Sequence, residues 1–324
     1  MTLEGRPGRC GAHRARELGT GRRGRGRFSP TIYRVTAPPA AQLVATLRGV
    51  RALLLDIDGV LVLRGRQIPG AAEALAALEG LGIPYRLATN TSAISRTTLA
   101  AHLARAGLDI SLERIVSAAS ATATHVARRH PGGRIFLIST TDARAEFADL
   151  DLMTGDEADL PGARAAAVVI GDASDELTFA TLDRAFRLIR EGAALVAMHK
   201  NRWWLTKRGV TLDSGGLVVG LEYATERRAT VVGKPTRAFF LEAVRELAAE
   251  TGPPDLHAAE VAMVGDDLWH DVLGAQRAGL RGVFVRSGKH GDEDLARAAS
   301  RARGGGRPDA VAVDLGEVAA ALGR

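Results

Sequence analysis

A chain of 324 residues, 46% apolar and 25% charged, has room for about two globular domains. No apolar run approaches the roughly 18–20 residues that cross a bilayer, and the single cysteine, Cys10, excludes a disulfide framework or a cysteine-rich metal centre. The net charge of +6 sits at one end: nine arginines against Glu4 and Glu17 give residues 1–35 a charge of +7, leaving −1 for the rest. The folded part is therefore expected to bind neither nucleic acid nor membrane, and its cysteine usage fits the cytoplasm.

Residues 1–45 are rich in Arg and Gly and poor in large apolar side chains, so they cannot bury enough surface to offset their ordering entropy. They are expected to be a disordered basic tail or an upstream extension; a nucleic-acid-binding arm or a transit peptide is the sharper alternative. From Arg51 onward short apolar runs alternate with helical patterns. Strands are expected at Ala52–Leu55, Ile83–Ala88 and Arg114–Ser117, with helices over Ala71–Glu79 and Ser95–Ala106. A second αβ block follows, with a helix over Ala118–Arg129, a strand over Arg134–Ile138 and a helix over Asp142–Leu150. It continues with strands at Ala165–Ile170 and Ala194–Met198 around a helix at Leu177–Glu191. Further strands are expected at Val261–Val264, Gly282–Val285 and Ala310–Val313, with a loop over Arg301–Arg307 before the last. This alternation predicts an α/β protein with a Rossmann-like parallel-sheet core and an inserted αβ unit.

Four strand ends carry chemistry. Leu53-Leu54-Leu55-Asp56-Ile57-Asp58-Gly59 delivers two carboxylates to the C-terminal end of a buried strand, where open α/β sheets bind ligands. Residues two apart on a strand point the same way, and two such acids repel unless a cation such as Mg²⁺ lies between them. An aspartate there can also attack phosphorus. Leu87-Ala88-Thr89-Asn90 ends in hydroxyl and amide groups that suit phosphate oxygens, or a helix cap. In Val232-Gly233-Lys234-Pro235, one of only four lysines against 39 arginines is held between Gly and Pro, either as a phosphate-binding charge or as a surface turn. Met263-Val264-Gly265-Asp266-Asp267 again runs a strand into acids, with Asp271 beyond. Asp266 can complete a magnesium site, and Asp271 can orient a water or Lys234.

In order and placement these four segments resemble the motifs of the haloacid dehalogenase superfamily. The resemblance implies Asp56 as nucleophile and Mg²⁺ ligand. It implies Asp58 as acid/base with its carbonyl on the metal, and Thr89, Asn90 and Lys234 as phosphate ligands. Asp266 would be a further metal ligand, and Asp267 and Asp271 would support the metal from outside. Only 30 residues separate Asp58 from Thr89, so the insertion lies between Thr89 and Lys234. The expected division is 46–118 with 223–324 as core and 119–222 as cap. His199-Lys200-Asn201-Arg202-Trp203-Trp204 and Leu221-Glu222-Tyr223-Ala224 resemble the phospholysine phosphohistidine inorganic pyrophosphate phosphatase group. Asp58 stands where many animal members of that group have Ser. His199, Lys200 and Arg202 are candidates for reading the substrate from the cap, with a solvated cap loop as the plainer alternative. The resemblance thus implies a Mg²⁺-dependent phosphatase for a small phosphorylated metabolite, acting through an aspartyl-phosphate and able to form a homodimer. A phosphotransferase or mutase, or a catalytically silent phosphate-binding scaffold, are the alternatives.

Overall fold

A computed structural model describes residues 39–173, 177–206, 209–250, 255–300 and 306–324. Most of the expected basic tail and of the loop expected over Arg301–Arg307 lies outside the described residues. Pro39–Leu47, partly inside the stretch assigned to the tail, forms a helix. Leu43 and Leu47 are buried, packed in the same core cluster as Leu315 and Val318 near the C-terminus, which gives this segment apolar burial of its own.

The strands in chain order are β1 (Ala52–Leu55), β2 (Val62–Leu63), β3 (Arg66–Gln67), β4 (Tyr85–Thr89), β5 (Ile115–Ser117), β6 (Ile135–Ile138), β7 (Leu152–Met153) and β8 (Ala167–Ile170). They continue as β9 (Ala194–Ala197), β10 (Trp203–Thr206), β11 (Gly209–Leu212), β12 (Thr230–Val231), β13 (Val261–Gly265), β14 (Arg281–Val285) and β15 (Ala310–Ala312). Six of them form a parallel sheet in the order β15-β14-β13-β1-β4-β5. Every residue of β1 is buried because both faces of the sheet are covered. Leu53 and Leu55 pack on one face with Leu75, Leu78 and Val318, while Ala52 and Leu54 pack on the other with Phe239 and Phe240, as the period of two requires. After β1 the chain builds outward through β4 and β5, and it later returns to add β13, β14 and β15 on the other side. The order reverses between β1 and β13, and the crevice at the carboxyl ends of those two strands is the natural ligand site.

Between the two halves of this sheet the chain forms a second parallel sheet, in the order β12-β9-β8-β6-β7, and the β10–β11 hairpin. This sheet runs past residue 222, where the sequence reading ended the inserted unit, because Thr230 and Val231 pair with Val196 and Ala197 of β9. The expected helix over Asp142–Leu150 is a short tight-turned segment, Ala143–Phe147. Among the described residues no helix is long and apolar enough to cross a membrane.

Candidate active site

The turn after β1 is shaped by its own backbone. Asp56 N–H donates to Val264 O at 2.9 Å, carrying the ladder with β13 one residue beyond the strand, and Ile57 O accepts from Leu61 and Val62 at 3.0 Å. Gly59 is left-handed, with φ 83°, and its N–H donates to Val62 O at 2.7 Å. A Cβ on Gly59 would overlap the Asp266 carboxylate, so glycine here meets both a conformational and a steric demand. Asp56 is buried, whereas Asp58 opens to solvent.

Lys234 ties the site together. Its ammonium donates to Asp56 Oδ1 at 2.7 Å and to Ala88 O at the end of β4 at 2.7 Å. It also forms a 2.6 Å ion pair with Asp271 Oδ1. Burial works against the charged ammonium, but Asp271 and Asp56 outweigh it and raise its pKa above the ordinary lysine value. Thr89 is buried beside it, its Oγ1 accepting from Thr91 N–H at 3.1 Å. Asn90 Oδ1 accepts from Lys234 N–H at 2.8 Å and its Nδ2 donates to Lys234 O at 2.9 Å. Both polar ends of the Asn90 side-chain amide thus hold the Lys234 backbone.

The third side comes from β13. Asp56, Asp266 and Asp271 each offer an oxygen, all within 4.8 Å of one another. Three buried carboxylates with one lysine between them are short of positive charge. Burial, then Asp56 and Asp271, push Asp266 up to about 8. Burial and Asp56 push Asp271 up to about 7, with Lys234 opposing. A hard divalent cation with oxygen ligands fits this donor set and its charge deficit. The expected set placed Asp58 among the metal residues and Asp271 outside. The structure gathers the Asp271 carboxylate with those of Asp56 and Asp266, while the part expected of Asp58 was its main-chain carbonyl, and the Asp58 residue is exposed. Although one side of Asp58 is open, desolvation by the protein around it and then the Asp56 charge push its carboxyl up to about 6.

Asp267 is fully engaged away from this cluster. Its Oδ1 accepts from Trp269 N–H at 2.9 Å and His270 N–H at 3.0 Å, capping the helical segment Leu268–Val272 that carries Asp271. Its Oδ2 lies 2.7 Å from His270 Nδ1 and 2.7 Å from Lys289 Nζ. Burial opposes its ionisation, yet His270 and Lys289 hold it well below the usual carboxylate range.

The inserted unit's candidates divide. His199 is buried, with Nε2 2.8 Å from Ser92 Oγ, and burial lowers its pKa. Lys200 Nζ is 2.6 Å from Glu222 Oε2. Both side chains are thus committed to protein partners, while Arg202 is exposed. A contribution that sequence reasoning missed comes from Ser287–His290. Ser287 Oγ donates to Gly59 O at 2.6 Å, Lys289 N–H donates to Asp266 Oδ2 at 2.7 Å, and His290 Nδ1 accepts from Leu268 N–H at 3.1 Å. The available signal was Lys289, one of the four lysines.

Comparison with known proteins agrees with this fold. Residues 53–153 match the haloacid dehalogenase-like hydrolase family and residues 231–318 a HAD-hydrolase-like family. The chain is 39% identical over 253 residues to haloacid dehalogenase-like hydrolase domain-containing protein 2 of Bos taurus, covering 78% of this chain and 90% of the relative. It is 36% identical over 275 residues to the phospholysine phosphohistidine inorganic pyrophosphate phosphatase of Rattus norvegicus, covering 83% and 95%. The crystal structure of a 4-nitrophenylphosphatase from Thermotoga maritima superposes with a TM-score of 0.74 at 28% identity, covering 86% of this chain and 99% of that one. An Asp-rich site at the switch point of a parallel sheet, an αβ cap inserted after the third strand of that sheet, and relatives of this kind over most of the chain place the protein in the haloacid dehalogenase-like hydrolase family, as a phosphatase-type hydrolase with an inserted cap.

Proposed function

We propose that the protein is a Mg²⁺-dependent phosphatase that hydrolyses a small phosphorylated metabolite through an aspartyl-phosphate on Asp56. The observation that carries this reading is the placement of Asp56: a buried carboxylate at the mouth of the switch-point crevice, hydrogen-bonded to Lys234 and clustered with Asp266 and Asp271. Asp56, Asp266 and Asp271 would hold the cation, which when bound offsets the repulsion between an anionic nucleophile and an anionic substrate.

An oxygen of Asp56 attacks phosphorus as the bond to the leaving oxygen or nitrogen breaks, and Asp58 supplies the proton to that leaving atom. Its carboxyl, raised to about 6 and open to solvent, suits a group that must be protonated once and deprotonated once. Asp58 then takes a proton from water, the water oxygen bonds to phosphorus, and the acyl-phosphate bond breaks to restore Asp56. Lys234 and Thr89 face the phosphoryl oxygens and stabilise charge there. The cap, proposed to start after Ala118, shields the acyl-phosphate and reads the leaving group. Phosphate esters, phosphoamides and pyrophosphate all satisfy this chemistry; the names of the rat and Thermotoga relatives support the range. A diffusible substrate and a sequence with one cysteine suit the cytoplasm.

Acid-quenched reaction mixtures test the intermediate. A phosphoryl group found by mass spectrometry on the peptide containing Asp56 is expected. Steady turnover with no such adduct, in a protein that keeps full activity as Asp56→Asn, would rule the mechanism out.

A further inference from the structure

We propose that Ser287–His290, the segment leaving β14, is the strap that positions the cation-binding carboxylates, with Lys289 as its central positioning residue. This rests on the metal site of the preceding reading. These four consecutive residues meet the site at Gly59, Asp266, Asp267 and Leu268. Ser287 holds the carbonyl of Gly59, in the turn that carries Asp56 and Asp58. Gly288 lies so close to Asp266 that a Cβ would overlap the carboxylate. Lys289 uses its backbone N–H for Asp266 Oδ2, at 2.7 Å, and its ammonium for Asp267 Oδ2, at 2.7 Å. His290 accepts from the N–H of Leu268, the first residue of the segment leading to Asp271.

The consequences follow from which oxygens are taken. Tying Asp266 Oδ2 to a main-chain donor fixes the rotation of the carboxylate and leaves Oδ1 to a cation. Asp267 is not itself in the cluster, but it caps the helical segment carrying Asp271, and its N–H donates to Asp271 Oδ2 at 3.1 Å. Lys289 therefore bears directly on Asp266 and, through Asp267, on Asp271. The plainer reading makes the Lys289–Asp267 contact an ordinary surface ion pair, since the lysine side chain is 46% exposed, but its partner is only 7% exposed and already holds three other donors. Outer partners of this kind orient ligands, and their loss typically weakens metal binding about 10–100-fold.

Charge alone makes the opposite prediction, which renders the idea testable. A lysine that only adds positive charge weakens cation binding, so its removal would tighten it. Mg²⁺ titration of the full chain by isothermal calorimetry, without substrate, compares wild type, Lys289→Met, Lys289→Arg and Gly288→Ala. The strap predicts Mg²⁺ affinity about 10-fold or more weaker for Lys289→Met, largely recovered by Lys289→Arg, and at least as weak for Gly288→Ala. Should Gly288→Ala fail to fold, the two Lys289 variants decide. Unchanged or tighter binding by Lys289→Met overturns the strap while leaving the phosphatase reading standing. No Mg²⁺ binding by wild type overturns the strap together with the magnesium part of that reading.

Discussion

Lys234 and Asn90 show how single residues divide the work. Lys234 is a point charge in contact with Asp56, Asp271 and a main-chain carbonyl, so a small displacement would detach it from all three. Asn90 prevents that displacement by holding the backbone on both sides of the Lys234 Cα. Asn90→Ala is therefore expected to lower kcat/KM about 100-fold, the scale of a misplacement near 1 Å, without touching substrate. Steady-state kinetics beside Asn90→Asp, which keeps the acceptor and loses the donor, would show whether both ends matter. Asp56, Lys234 and Asp266 were legible in the sequence because each ends or follows an apolar run where a parallel sheet presents ligands. The target of Asn90 was not, since its partner lies 144 residues away and either end of an amide suits a phosphate as well as a backbone. Ser287–His290 escaped notice because most of its contacts use main-chain atoms or depend on the absence of a Cβ.

At the scale of elements, the segment between β4 and the helix Arg96–Arg105 is clasped by the cap. Asp142 accepts from Ser95 N–H at 3.0 Å, Ser95 Oγ at 3.1 Å and Thr98 Oγ1 at 2.9 Å. Glu146 accepts from Arg96 N–H at 2.6 Å and Nε at 2.8 Å. Ser92 accepts from Asp172 N–H at 3.1 Å and lies against His199. Burial opposes the Asp142 charge, but the Ser95 and Thr98 donors lower its pKa overall. Asp142→Ala leaves the Ser95 N–H and two hydroxyls without their acceptor and is expected to cost about 1–3 kcal/mol, read from urea unfolding with the m-value unchanged. Strands β1, β6 and β13 were expected within one residue of where they lie, because buried parallel strands read as continuous apolar runs. The helix expected over Asp142–Leu150 was not legible, since Asp142 and Glu146 look like ordinary helix-surface acids until the core segment they hold is brought against them.

For the whole molecule, the crowded carboxylates link stability to pH and to metal. Asp266, raised to about 8, and Asp271, raised to about 7, bind protons more tightly folded than unfolded, where each starts from 3.8. Between those limits these two groups hold more protons in the native than in the unfolded state, so their contribution to stability falls as pH rises from about 4 to about 8. A cation bound only by the folded, ionised site restores it by mass action. The rise in melting temperature caused by saturating Mg²⁺ is expected to be larger at pH 8 than at pH 5.5. A Mg²⁺ effect that is independent of pH in differential scanning calorimetry would contradict this linkage. The α/β class and the parallel core were readable from the alternation of apolar runs and helices, whereas the strand order was not. The limits of the cap were less so: β12 is two residues long, and only its pairing with β9 shows which sheet it joins.

The most direct test is hydrolysis of p-nitrophenyl phosphate by the purified chain, with and without Mg²⁺, beside Asp56→Asn. The account predicts release of p-nitrophenol that needs Mg²⁺ and disappears in Asp56→Asn while that variant remains folded. Turnover retained by Asp56→Asn, or unaffected by removal of divalent cations, would contradict the assignment of Asp56 as the nucleophile of a magnesium-dependent phosphatase.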